Sequence, residues 1–181
     1  LDADLQSKLT EVMARHLASI GLNKAAAVAI DPRGGGILAL QSFPLFDSNV
    51  FTTRLSPETF KNLFESNNQP MFNRAIGGVY PPGSTVKPFI GIGALQEKVV
   101  TDKTLINDKG FITVGNQIFK GWKVLGMVDI YKAIAMSSNI FFYTVGGGYG
   151  DIPGLGPVKL GEYYKKFGFS KLTNIDLPGE A

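Results

Sequence analysis

The sequence predicts an α+β fold, and three observations carry that prediction. Its elements run helix, two short strands, then several helices, so the strands gather towards one end of the chain. Hydrophobic residues make up 44% and charged residues 18% of the 181 positions, a globular balance with enough chain for a sizeable core. No stretch approaches about 18 consecutive apolar residues, and the opening LDADLQSKL lacks the order of a signal peptide.

Each element follows from local pattern. Residues 2–21 read as an amphipathic helix, with Leu5, Leu9, Val12, Met13, Leu17 and Ile20 near one face, Asp2 or Asp4 as its cap and Gly21 as its stop. His16 sits at the border of that face and reads as a surface residue. Ala25–Ile30 and Ile37–Phe43 read as a hairpin around Asp31-Pro32-Arg33-Gly34-Gly35-Gly36. The glycine triplet opens a strand rather than a helix and lacks the Lys-Ser/Thr of a phosphate loop, so it reads as a turn. Residues 44–73 are polar and irregular, with a short helix over Pro57–Glu65. An apolar helix begins near Ser84 and runs to about Lys98, and GFITVGNQIFKGWKV forms a two-stranded excursion carrying Trp122. VDIYKAIAMSSN is a helix ending in polar residues, IFFYTVGGG a buried helix stopped by glycines, and GPVKLGEYYKKFGFS a last helix with Gly168 just past its end. A two-stranded sheet is marginal alone, and the sequence offers no good candidates for the further strands it needs.

Composition removes several chemistries. Without cysteine there are no disulfides, thiolate nucleophiles or Cys-based metal sites. One histidine cannot build a His-based triad or a multi-histidine metal site. The net charge of +3 is spread out, Lys165-Lys166 being its densest cluster, so no nucleic-acid partner is expected. Nucleophilic catalysis here needs a base other than histidine, and lysine is the residue at hand.

The stretch YPPGSTVKPFIGIGALQ places Ser84 and Lys87 three residues apart at the start of an apolar helix. The plain reading makes Ser84 an N-cap, the prolines and glycine a turn, and Lys87 a solvated side chain. The chemical reading starts from the macrodipole, whose positive end disfavours a cation in a first turn. That same end favours an attacking alkoxide and the oxyanion that follows. Three-residue spacing puts both side chains on one side, so the amine can reach the hydroxyl. The apolar helix behind Lys87 desolvates the amine and lowers its pKa towards that of a general base. A second cluster, Ser137-Ser138-Asn139, lies between two apolar helical runs. It reads either as a helix cap or as a hydroxyl that relays a proton and an amide that orients a substrate.

The runs NRAIGGVYPPGSTVKP, AIAMSSNIFFY and KKFGFSKLTNIDLPGE, with the LDADLQ opening and the AIDPRGGGILALQSFP hairpin, resemble the transpeptidase domain of class B penicillin-binding proteins. The likeness is greatest to the elongation type, penicillin-binding protein 2. Ser-x-x-Lys with a Ser-x-Asn-type motif is the signature of that superfamily. The resemblance implies the penicillin-binding protein/serine β-lactamase-like transpeptidase fold, with residues 1–181 as its N-terminal portion, helices packed on an incomplete antiparallel sheet. It makes Ser84 the nucleophile, Lys87 its activator, Ser137 the proton relay to the leaving amine and Asn139 the group that binds the substrate amide. Ser84, Ser137 and Asn139 would contact a peptidoglycan stem peptide, and β-lactams would acylate Ser84 in its place. No metal or organic cofactor is implied. A membrane-bound glycosyltransferase of the elongation machinery is the implied partner. The implied place is the periplasmic face of the bacterial inner membrane, with an anchoring helix upstream. The family's third motif, Lys-Ser/Thr-Gly, does not occur in the sequence, so residues 1–181 are expected to be a partial transpeptidase domain. A serine β-lactamase, a β-lactam sensor domain and a catalytically silent scaffold of the same fold stay open as alternatives.

Overall fold

Two units make up the protein, whose computed structural model describes residues 1–180: Leu1–Tyr80 with the segment from Leu172, and Pro81–Lys171. In the first unit, Asp2 caps α1 (Ala3–Ser19) by accepting the Leu5 N–H at 2.9 Å, and Gly21, left-handed at φ 67°, ends it. His16 is exposed in the last turn, as expected.

The buried stripe of α1 differs from the one its apolar spacing predicts. Leu9, Met13 and Leu17 are shielded together with Gln6 and Thr10, whereas Leu5, Val12 and Ile20 are exposed. The cause is a polar pairing with β2 (Ile37–Phe43). The Gln6 carboxamide accepts the Leu40 N–H at 2.9 Å and donates to the Leu40 carbonyl at 3.0 Å, as a neighbouring strand would. Thr10 adds a 2.9 Å bond to Gln41 Oε1. Polar groups that leave water must find partners, and these do.

β1 (Ala25–Ile30) pairs antiparallel with β2 at the predicted residues, from Ala25–Phe43 to Ile30–Ile37, with an irregularity at Ala29/Ile30. The glycine triplet is a turn: Asp31 N–H donates to the Gly36 carbonyl at 2.8 Å, and the Asp31 carboxylate holds Arg33. The expected short helix is present as α2 (Pro57–Phe60) running into one wide π turn over Lys61–Glu65. Buried Arg74 organises the loop that follows, donating to the carbonyls of Asn68, Gln69 and Phe72. Among the described residues no helix is long and apolar enough to cross a membrane.

The second unit is built around α3 (Lys87–Gln96), which packs on α4 (Ile130–Ala135), α5 (Asn139–Gly147) and α6 (Gly156–Lys166). Its core joins Ala94, Val128, Ile130, Phe141, Phe142, Val145 and Leu155. Two glycines of α3 permit the close approach. A Cβ on Gly91 would stand 3.2 Å from Ile130, and one on Gly93 3.2 Å from both Leu155 and the Tyr163 ring. Residue size thus brings α3 against its neighbours.

The excursion is the hairpin of β4 (Phe111–Val114) and β5 (Gln117–Lys120), with Trp122 just beyond it. A strand pair that the sequence reading missed frames it. β3 (Ile106–Asp108) and β6 (Gly126–Val128) are antiparallel and form a sheet of their own. Three-residue strands are too short for an alternating pattern to show.

Candidate active site

Two short backbone devices create the site, both within Pro81–Lys171. The first is a 3₁₀ turn over Gly83–Val86 that runs directly into α3. Gly83 enters it at φ 58°, a left-handed conformation that glycine adopts without steric cost. The turn leaves Ser84 exposed and delivers Lys87, only 8% exposed, into the core side of the helix.

The second device is Ser137-Ser138-Asn139. Ser138 N–H donates to the Ala133 carbonyl and Ser137 N–H to the Ile134 carbonyl, the paired bonds of a Schellman motif closing α4. Ser137 fills the left-handed position at φ 51°, where glycine is usual. A serine held there costs roughly 1–2 kcal/mol. The next residue starts a new helix: Ser138 Oγ accepts the Phe141 N–H at 3.0 Å and so caps α5. Three residues therefore end one helix, begin another and turn their side chains to opposite sides. The capping reading of this stretch is thus seen directly in its hydrogen bonds.

Between the two devices lies a continuous polar chain. Lys87 Nζ donates to Asn139 Oδ1 at 2.6 Å, to the Ser137 carbonyl at 2.7 Å and to Ser137 Oγ at 3.0 Å. Ser137 Oγ in turn bonds Ser84 Oγ at 3.0 Å. Three partners use all three N–H groups of an ammonium. The spacing of Ser84 and Lys87 suggested direct contact; instead the Ser137 hydroxyl stands between them. The Phe142 ring, 5.7 Å from Nζ to its centroid, covers the amine as a further cation partner. Burial pushes the Lys87 pKa down from 10.5, and the negative charge of Asp108 partly opposes that.

Residues 25–181 match the penicillin binding protein transpeptidase domain. The chain belongs to that family. It is 38% identical over 162 residues to the peptidoglycan D,D-transpeptidase MrdA of Acinetobacter baumannii, covering 87% of this chain and 23% of the relative. Among solved structures it resembles Pseudomonas aeruginosa PBP2 in complex with WCK 5153, with 33% identity and a TM-score of 0.78 over 97% of this chain and 39% of that one. It also resembles PBP2 in its complex with MreC from Helicobacter pylori, with 29% identity and a TM-score of 0.80 over 96% of this chain and 31% of that one. The chain spans about a quarter of the length of the curated relatives it matches. Within that family it is penicillin-binding protein 2-like, of the class B kind, and its mixed helices and strands fit the penicillin-binding protein transpeptidase fold.

In this penicillin-binding protein the four residues singled out by sequence stand in one hydrogen-bonded group. Two neighbours of that group were not foreseen. Trp122 Nε1 donates to the Met136 carbonyl at 3.0 Å, fastening the end of α4 beside Ser137. Asp108 accepts the Ser138 hydroxyl at 2.6 Å. Asp108 lies in the turn-like run NDKG, where an aspartate is ordinary; its one anomaly is that it shares an inward strand position with Ile106.

Proposed function

We propose that this chain carries the nucleophile-bearing part of a serine D,D-transpeptidase domain that cross-links peptidoglycan stem peptides. The supporting observation is the chain from Ser84 Oγ through Ser137 Oγ to the buried Lys87 amine. With Lys87 neutral, its lone pair takes a proton from Ser137 while Ser137 takes one from Ser84. Ser84 Oγ then forms a bond to the carbonyl carbon of the penultimate D-alanine of a D-Ala-D-Ala terminus. The C–N bond to the last D-alanine breaks, and the proton returns through Ser137 to the leaving amine. Asn139 holds the substrate amide. The Ser84 N–H, in a first helical turn whose donors lack intrahelical acceptors, supplies one donor to the developing oxyanion. An amine of a neighbouring stem peptide then attacks the acyl-serine and releases it as a cross-link. β-Lactams acylate Ser84 by the same route, with the lactam C–N bond opening.

The parent protein acts on the periplasmic face of the inner membrane, held by an upstream helix and partnered by a membrane-bound glycosyltransferase of the elongation machinery. The complex of Helicobacter pylori PBP2 with MreC, and the similar chain in a peptidoglycan synthase complex that coordinates polymerization and crosslinking, support a partnership of this kind.

Labelling with a fluorescent penicillin, read by intact mass, tests the proposal. A long-lived adduct on the chain, absent from Ser84→Ala, is the expected result. Rapid release of the adduct would make the protein a serine β-lactamase instead. A folded chain that takes no label calls for the same test on a longer chain that includes a Lys-Ser/Thr-Gly motif, and no label on Ser84 there would sink the reading.

A further inference from the structure

Asp108 is the only buried carboxylate among the described residues, at 1% exposure, and acyl transfer does not call on it. Its two oxygens are both engaged: Oδ2 accepts the Ser138 hydroxyl at 2.6 Å and Oδ1 the Gly110 N–H at 2.9 Å. Ser138, fully buried, lies between Ser137 and Asn139, whose oxygens hold the Lys87 amine. The turn is thus gripped from both sides, by Lys87 through residues 137 and 139 and by Asp108 through residue 138. A left-handed serine persists only where its surroundings over-determine it, and the grip of an ionised acceptor is stronger than that of a neutral one.

We propose that Asp108 is a positioning residue of this site: its carboxylate anchors Ser138, and with it the Ser137–Asn139 turn whose oxygens hold the Lys87 amine. This rests on the role of Lys87 as base. The other charges on α3 and the helices packed against it are engaged elsewhere or exposed. Lys159 of α6 pairs with Glu97 at the far end of α3 and with Glu162. Lys132 of α4 donates to the carbonyls of Leu125 and Met127, Lys166 lies over the Tyr163 ring, and Lys165 is exposed. α5 carries no charged side chain. Asp108 is the counter-charge whose field opposes burial at Lys87.

The test is an NMR titration of the Lys87 ε-methylene in the ¹³C-lysine-labelled chain without any substrate, its signal assigned by its loss in Lys87→Arg. In Asp108→Asn the anchor keeps its shape and loses its charge, so the midpoint moves further down. In Ser138→Ala the charge stays and the anchor goes, water reaches the amine, and the midpoint moves up towards the ordinary lysine value. An unchanged or raised midpoint in Asp108→Asn overturns the proposal, because loss of packing alone moves it upward. Should Asp108→Asn not fold, an unmoved midpoint in Ser138→Ala is equally fatal. The titration needs no acylation, so a chain that takes no penicillin label still decides it.

Discussion

Lys87 illustrates how one residue meets two opposed demands. An ammonium taken out of water is costly unless oxygen atoms replace the lost hydration, and three of them do so here. Those same oxygens are neutral, so they solvate the charge without fully restoring it, and burial leaves the pKa below 10.5. A lysine on the surface would be protonated almost throughout the physiological range and could not take a proton. The acylation rate with a β-lactam should therefore climb with pH along a limb whose midpoint lies below 10.5, and the limb should vanish in Lys87→Ala. The sign for folding is the same. Between the lowered value and 10.5 the unfolded chain holds a proton that the folded one has released, so stability rises with pH across that window. Stopped-flow acylation and chemical denaturation over one pH series measure both. A limb centred at or above 10.5 would remove Lys87 from the role of base.

At the scale of elements, the site depends on how helices end. The Ser137–Asn139 turn could close α4 with an unstrained glycine, yet it uses a serine at φ 51° and accepts the strain. Strain kept at such a place points to what the hydroxyl does between Ser84 and Lys87. Ser137→Gly should lower stability by about 1 kcal/mol or more. The relief of roughly 1 kcal/mol of left-handed cost is offset by the greater freedom of glycine in the unfolded chain, and the buried Lys87 amine loses one of its three acceptors. Acylation should fall by about 100-fold or more, since proton transfer loses its bridge. Thermal melting beside the labelling rate separates the two effects, and a variant that acylates normally would show that the hydroxyl is only a cap. The turn itself was legible in sequence, because helix ends are written in neighbouring residues. The partners that give it meaning were not. Asp108 lies 30 positions from Ser138, and Gln6 of α1 meets Gln41 across 35. Local periodicity reports only residues a few places apart, so it put Leu5 and Val12 of α1 on the buried face and missed Gln6 and Thr10.

On the scale of the molecule, burial is unevenly shared within Pro81–Lys171. Helices α3 and α5 contribute Ala94, Ile140, Phe141, Phe142 and Val145 to the interior, whereas β4 and β5 expose Phe111, Val114, Ile118 and Phe119. Long apolar runs made the helices visible in sequence; the strands β3 and β6 depend on pairing with each other and left no such trace. This distribution predicts an order of local opening, since amides over buried apolar contacts open only with the whole unit. Hydrogen exchange should be slowest in α5, slow in the body of α3 and fastest in the β4–β5 hairpin. Acylation of Ser84 should then slow exchange at Gly83–Val86 and at Ser137–Asn139. Through the bond between Ser138 and Asp108 it should also slow the amide of Gly110, whose N–H the same carboxylate accepts at 2.9 Å. A hairpin as protected as α5 would contradict the burial argument. Slowing at both turns without any change at Gly110 would show that the nucleophile and the buried carboxylate are uncoupled.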